Sequence, residues 1–285
     1  MTVYGVTGAT GKLCRLALDA LLQKVEPSSV VALARNPAAL AAYAAKGVVV
    51  RAADYDAPEG LPAALAGIDR LLLISASTLG ERPRQHGNVI DAAKQAGVGF
   101  IAYTSILRAD STPIRLGAEH KASEDKLAAS GIPHALIRNG WYNENYVLNL
   151  PYQVATGVIT GAQGQGRISS ASRADLAEGA VEVLLNGKAG EIYDLAGDSS
   201  WTMADFAAEL ARQSGKPVRY EDMGEAEFAA SLVAAGLPEH YAPVFANSAY
   251  ATSMGALEDN SGTLGRLIGR PTTPIAETIR QALQG

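Results

Sequence analysis

Short apolar runs alternate with longer amphipathic stretches through the first half of the chain. The runs at 3–6, 30–34, 48–51, 71–74, 100–104 and 135–138 are almost continuously aliphatic or β-branched. Strands of that kind are buried on both faces, as in a parallel sheet. Between them, 12–23, 38–46, 61–65, 85–95 and 118–129 have helical spacing and length. Gly47, Gly97 and Gly131 stand where left-handed helix ends fall, and Pro37 and Pro62 where a first turn tolerates a missing N–H. Strand–helix alternation predicts an α/β fold with a Rossmann-type doubly wound parallel sheet. The regularity fades after about residue 140. The Gly- and Gln-rich stretch 156–167 reads as a loop or short-strand excursion, and helices resume at 173–185, 203–214, 225–235 and 273–283. The expected division is a first domain over 1–140 and a smaller α/β part over 141–285, partly interleaved with the first.

The first strand runs into Thr7-Gly8-Ala9-Thr10-Gly11-Lys12-Leu13-Cys14 and then a helix. A glycine turn between a strand and a helix start is how a dinucleotide fold meets a pyrophosphate. Gly8 permits the turn, Gly11 lets the main chain approach the phosphates, and the helix start offers unpaired N–H groups and a positive dipole end. Cys14 takes the place of a third glycine and reads as a packing residue. The second strand ends at Ala34-Arg35-Asn36-Pro37. An acidic residue there accepts from a ribose 2′-OH, whereas an arginine pairs with a 2′-phosphate, so Arg35 favours NADP(H). Asp54 and Tyr55 follow the third strand, where an adenine would rest. Ser75, Ala76 and Ser77 follow the fourth, at the edge where open α/β sheets gather ligands.

Composition narrows the classes. With 48 % hydrophobic and 19 % charged residues, the 285-residue chain can bury a large core and is not disordered. A net charge of -5 supplies no basic footprint for nucleic acid, and one cysteine excludes an internal disulfide framework. No apolar run approaches the ~20 residues needed to span a bilayer, and no signal peptide is visible, so the expectation is a cytoplasmic protein. Whether it forms an oligomer is not legible.

Taken together, Gly8-Ala9-Thr10-Gly11, Ala34-Arg35-Asn36-Pro37, Ala53-Asp54-Tyr55, the stretch 100–105 (Phe-Ile-Ala-Tyr-Thr-Ser) and 137–142 (Ile-Arg-Asn-Gly-Trp-Tyr) resemble the NmrA-like branch of the atypical short-chain dehydrogenases. Within it the chain is most similar to bacterial NADPH-dependent quinone oxidoreductases of the second type, with triphenylmethane reductases as near neighbours. The likeness runs end to end, through 171–175, 195–202 and 267–269. It implies a domain binding NADPH and a smaller C-terminal part that binds a planar, quinone-like substrate. Carried across by position, Gly8, Thr10, Gly11, Lys12 and Leu13 would hold the pyrophosphate and Arg35 the 2′-phosphate. Ser75, Ala76 and Ser77 would line the ribose side. Asn139, Trp141 and Tyr142 would border the nicotinamide and substrate, with Arg173 a further contact. Cys14 departs from the glycine that relatives carry.

No tyrosine has a lysine four residues on, so the Tyr-x-x-x-Lys acid of conventional short-chain dehydrogenases is missing. Reducing a simple carbonyl makes a strongly basic alkoxide and needs such an acid. A quinone yields a phenolate of much lower basicity, which water can protonate. Candidate catalytic groups are Tyr142, Asn139 and His120, the last as a donor titrating near neutral pH. Glu124 and Asp125 share a helix with Lys121 at a spacing typical of surface pairs. Asp54 and Asp56 do not form a catalytic carboxylate pair, and no cluster has metal spacing. Three readings stay open: a quinone reductase, a reductase of dyes or other unsaturated acceptors, and an NADP-binding redox sensor without turnover. An isomerase on the same fold is weaker, because it too would want the missing tyrosine–lysine pair.

Overall fold

The structure, a computed structural model, describes residues 1–284. Two compact units can be distinguished. The first comprises Met1–Ala109, Ala118–Asn139 and Arg173–Tyr193, and the second Asp110–Gly117, Gly140–Ser172 and the chain from Asp194 onward.

The first unit is built on β1 (Tyr4–Val6), α1 (Lys12–Leu21), β2 (Val30–Ala34), α2 (Ala41–Ala44), β3 (Val49–Ala52), α3 (Leu61–Leu65), β4 (Arg70–Leu73), α4 (Arg82–Ala96), β5 (Phe100–Ile106), α5 (Leu116–Ser130) and β6 (His134–Asn139). Later come α6 (Leu150–Thr156), β7 (Val158–Gly161), α7 (Arg173–Asn186) and β8 (Ile192–Leu195), of which α7 and the start of β8 belong to this unit. The sheet has the order β3-β2-β1-β4-β5-β6-β8. Every registered pair from β3 to β6 is parallel. The chain winds outward from β1 to β3 and then returns to β4, so the strand order reverses between β1 and β4. That reversal opens a crevice at the carboxyl edge of the sheet.

Period-two alternation divides the strand side chains between two cores. Val31, Leu33, Leu71, Leu73, Ile101 and Tyr103 form one cluster with Leu61 and Leu65 of α3, Val89, Ile90 and Ala93 of α4, and Leu127 of α5. Both faces are covered, which is why these strands read as uninterrupted apolar runs. On α1, the buried face is Leu13, Cys14, Ala17, Leu18 and Leu21, at helical spacing, and α1 packs on α7. Burying each leucine of that face contributes about 1.5–3 kcal/mol.

The predicted helix over 38–46 is instead a 3₁₀ turn, Pro37–Leu40, followed by the four-residue α2. Pro37 and the Asn36 side chain, which accepts from the Ala38 N–H at 3.2 Å, start it as a tight turn. Conversely α4 begins three residues before the predicted 85–95, because Pro83 is tolerated in the first turn. Gly97 ends α4 in the left-handed conformation (φ 75°), as expected.

The second unit adds α8 (Met203–Ser214), β9 (Arg219–Asp222), α9 (Glu225–Ala234), α10 (Ala242–Ser253), α11 (Thr263–Ile268) and α12 (Ile275–Gln284). Here β7 and β9 form a two-stranded parallel sheet, and Thr202 and Asp205 close a capping box on α8. Tyr146, Trp201 and Phe206 form an aromatic cluster. Five of this half's elements, α6, β8, β9, α10 and α11, escaped the sequence reading because they are short or lack periodicity. No helix among the described residues is long and apolar enough to cross a membrane.

Candidate functional site

Parallel strands end at one edge of their sheet, so the segments after β1, β2, β3, β4 and β6 gather there. After β1, Gly8 adopts φ 59°, a left-handed conformation that a side chain would strain. Its carbonyl accepts the Gly11 N–H at 2.8 Å, and the Ala9 N–H is tied to the Leu33 carbonyl at 2.9 Å. The loop is thereby fixed across two strands. Gly11 is the N-cap of α1, and no side chain caps the helix. Thr10, Gly11 and Lys12 are exposed, while Leu13 is buried in the face of α1 that covers the sheet. A Cβ at Gly11 would lie 3.2 Å from the Gly8 carbonyl oxygen and 3.1 Å from Cys14 Sγ. The loop is thus a main-chain cradle with an uncapped helix start, which fits a pyrophosphate. Cys14 fills the space beneath it. Burial pushes its thiol up to about 12, so it is inert packing.

Arg35 follows β2 directly and is exposed; among the described residues no carboxylate pairs with it. After β3, Asp54 Oδ1 accepts the Asp56 N–H at 3.0 Å, a local turn. Asp56 is ion-paired with Arg84 at 2.5 Å and held by Gln85, so it is a structural carboxylate. The Tyr55 hydroxyl donates to the Ile74 carbonyl at 3.2 Å and lies beside the Gly8 loop.

After β4, the Ser75–Ser77 segment is clamped at both sides of one residue. The Ala76 N–H donates to His86 Nε2 at 2.9 Å, and the Ala76 carbonyl accepts from Arg82 Nε at 2.7 Å. Arg82 is ion-paired with Glu119 of α5 at 3.1 Å, and Glu119 also accepts the Gly80 N–H. The Ser75 N–H is held by Thr104 Oγ1 at 2.9 Å. Main chain that would line a ribose is therefore held by buried side chains from α4 and α5.

His120 is 8 % exposed, on the face of α5 that also buries Ser123, Glu124 and Leu127. Its Nδ1 lies 2.9 Å from the Tyr103 hydroxyl. Burial, with the nearby Arg82 and His86, pulls its pKa down to about 3. The expectation of a donor titrating near neutral pH is therefore corrected: His120 is a neutral imidazole throughout the physiological range. Glu124 is likewise no surface pair. At 4 % exposure it makes a bidentate ion pair with Arg138 of β6 (3.0 and 2.8 Å) and accepts from Ser105 at 2.6 Å. Only Asp125 forms the exposed pair with Lys121.

Asn139 ends β6 at 5 % exposure, and its Oδ1 is buried without a partner. A buried amide oxygen left unpaired costs free energy, about 1–3 kcal/mol, unless something else fills its valence. An amide of a bound ligand would do so. Arg173 opens α7 and is half-buried within the first unit. Tyr142 belongs to the second unit, half-buried and bridged to Ala171. Next to it, Asn143 is fully buried. It donates to the Thr273 carbonyl and Thr278 Oγ1 and accepts from Ser170 Oγ at 2.6 Å, which holds the Tyr142 segment in place.

The sequence reading missed His86, Tyr103 as a hydrogen-bonding group, and the Arg82–Glu119 pair. One signal for Tyr103 was present. A tyrosine inside an otherwise apolar strand must find a partner for its hydroxyl.

The donor set fits a nicotinamide dinucleotide carrying a 2′-phosphate: cradle, uncapped helix start, unpaired arginine and unsatisfied amide. Residues 8–187 match the family described as NAD(P)H-binding. Quinone oxidoreductase 2 of Escherichia coli (strain K12) is 50 % identical over 278 residues, 97 % of each chain. Among solved structures, an Escherichia coli NADPH-dependent quinone oxidoreductase complexed with NADPH superposes with a TM-score of 0.97 at 49 % identity, covering 99 % of this chain and 100 % of that one. The triphenylmethane reductase of Citrobacter sp., complexed with NADP(H), superposes with a TM-score of 0.93 at 37 % identity, covering 98 % and 99 %.

Proposed function

This chain belongs to the NAD(P)H-binding family, and from that premise we propose that it is an NADPH-dependent reductase that passes hydride to a quinone. The observation that carries the cofactor choice is Arg35, exposed and unpaired at the end of β2 beside the glycine cradle. Its guanidinium matches a 2′-phosphate in geometry and charge, and NADH offers it nothing.

The residues divide by role. The main chain of Gly8 to Leu13 and the start of α1 hold the pyrophosphate, with Thr10 and Lys12 at its exposed rim. Asp54 and Tyr55 border the adenine side, and Ser75, Ala76 and Ser77 the ribose side. The Asn139 amide meets the carboxamide, and Arg173 adds a contact. When bound, NADPH supplies the hydride. The protein orients the acceptor and excludes competing geometries. Placing an acid is unnecessary, since the product of quinone reduction is a weakly basic phenolate. The absence of a tyrosine–lysine pair is consistent with this acceptor.

The test is NADPH oxidation with a simple benzoquinone, run beside NADH, a triphenylmethane dye and an azo dye. Quinone turnover with a marked NADPH preference is the expected result. Turnover confined to dyes would move the assignment to the triphenylmethane reductase side, toward which the 37 % identity also points. Tight NADPH binding with no turnover on any acceptor would replace the reductase reading with a redox sensor.

A further inference from the structure

The arginines around the segments that follow β1, β2 and β3 are spent in different ways. Arg84 is committed to carboxylates, Asp56 at 2.5 Å and Glu81 at 2.6 Å. Arg15, the fourth residue of α1, is exposed, and its side chain bonds only main-chain carbonyls. Its Nε donates to Thr10 in the glycine loop at 3.3 Å, and its Nη2 donates to Ala39 in the Pro37–Leu40 turn at 3.2 Å. The guanidinium therefore spans the gap between the loop after β1 and the turn after β2. The Arg15 carbonyl also accepts the Tyr43 hydroxyl at 3.3 Å, which ties α1 to the same side of the gap. Ala39 stands close to Arg35 in the chain, and the turn between them is tight. The Asn36 side chain accepts the Ala38 N–H, and the Asn36 carbonyl accepts the Ala39 N–H, each at 3.2 Å. One guanidinium thus touches the glycine cradle and the turn that carries Arg35, the two segments a 2′-phosphorylated dinucleotide has to bridge.

Carbonyls satisfy N–H groups without neutralising the charge, and among the described residues no carboxylate forms an ion pair with Arg15. Arg51 and Arg70 also bond carbonyls, but theirs lie at the C-terminal ends of α3 (Ala64 and Ala66) and α7 (Leu184 and Gly187). There the negative end of the helix dipole compensates a cation. Arg15 stands at the opposite kind of end. The first turn of α1 carries Lys12 and Arg15 and no acidic residue. Cations at the positive end of a dipole work against the helix, and the arrangement becomes favourable once an anion binds there. The fork is also held in place beforehand and keeps further N–H groups for a ligand, so ordering it on binding costs little.

We propose that Arg15 is a second cation of the 2′-phosphate site and acts with Arg35 to select NADPH over NADH. The inference rests on the NADPH reading above. Arg35 approaches the phosphate from the end of β2 and Arg15 from the start of α1, so the anion is held from two sides. A plain strap between loop and turn would serve both cofactors equally, since they share the pyrophosphate and differ only at the 2′ position. Discrimination between the cofactors therefore separates recognition of charge from positioning of the loop.

The experiment is equilibrium binding by the full chain, with NADPH, NADH and the fragments 2′,5′-ADP and 5′-AMP as probes. Arg15→Gln removes the charge and keeps an amide N–H for a carbonyl. It should weaken NADPH and 2′,5′-ADP roughly three- to tenfold, less than Arg35→Ala because the site is exposed, and leave NADH and 5′-AMP unchanged. Arg15→Lys keeps the charge and should recover most of that loss. NADPH affinity should also fall less steeply with ionic strength in Arg15→Gln than in the wild type. Equal losses for NADPH and NADH would make Arg15 a strap and overturn the proposal. Unchanged NADPH binding in Arg15→Gln overturns it too, as does a lysine variant that binds as weakly as the glutamine one. Arg35→Ala, run in parallel, shows which reading has failed. If the wild type holds both cofactors equally and Arg35→Ala changes neither, the NADPH reading fails and the role of Arg15 falls with it. If Arg35→Ala loses NADPH selectively and Arg15→Gln does not, only the role of Arg15 fails.

Discussion

Between Gly8 and Leu13 the first unit presents main-chain amides, two glycines and an uncapped helix start to solvent, with Arg35 exposed at the end of β2. Beneath α5 the same unit buries Ser105, Tyr103, His86, His120, Ser123, Glu124 and Arg138 in two side-chain networks. The first region offers groups adjacent in sequence, most of them main chain. The second depends on side chains from four separate elements, each bonded to a group far away in the chain. One is tolerant of sequence but intolerant of backbone change. The other is the reverse, because in a low-dielectric interior each polar group is costly once its partner is removed.

The sharpest way to break this contrast is Glu124→Ala. It strips buried Arg138 of its bidentate carboxylate partner, and should cost about 3–5 kcal/mol of stability, read as a shift in the denaturant midpoint. A shift below about 1 kcal/mol would mean that solvent reaches the pair, and that the second region is not sealed.

Arg35→Ala acts on the open region and should leave stability unchanged. NADPH binding should weaken by about 1.5–3 kcal/mol, roughly ten- to a hundredfold, with NADH binding unaffected. Titration by cofactor fluorescence measures both, and equal losses for the two cofactors would remove the assigned role. Gly8→Val tests the backbone side of the comparison. A β-branched residue at φ 59° is strained by about 1–3 kcal/mol, so the loop should open and bind both cofactors poorly, with little change in the thermal midpoint of the cofactor-free chain. Retained NADPH affinity in that variant would show that the loop conformation does not matter.

The remaining effect is graded in pH and builds up over several units. His86 and His120 titrate at about 3 in the folded chain, below their ordinary value near 6.5. Unfolding lets both take up protons once the pH falls below about 6.5. Stability should therefore decline as pH falls from about 6.5 toward 3, by up to about 1.4 kcal/mol per pH unit for each histidine. Denaturation at a series of pH values should show that slope, and it should be shallower in His120→Gln. An identical slope in the variant would mean that His120 is not held neutral by burial.

The same contrast governs what could be read in advance. The glycine loop, Arg35 and the strand-end segments announce themselves by local spacing, because the chemistry they perform is local. His120 was noticed, but its ionisation was misjudged. A histidine near a helix start looks like a neutral-pH acid until the strand beneath it is known to supply a tyrosine and the next helix a second histidine. Glu124 was misplaced for a related reason. Its i−3 neighbour Lys121 is visible in the sequence, whereas Arg138, fourteen residues on, becomes its partner only when β6 pairs with β5. Asn139 was chosen for its position after a strand, and only its surroundings revealed an unpaired buried oxygen.

By itself the sequence determined the α/β class, the parallel sheet of the early strands, the glycine turn before α1 and an arginine at the end of β2 suited to a 2′-phosphate. Periodicity and turn chemistry act over a few residues, and these features need no more range than that. Tertiary structure decided which polar side chains share an interior, hence which histidine is neutral and which carboxylate is paired. Those properties depend on desolvation and on distances between residues tens of positions apart, and they come into being only when the sheet closes under its helices.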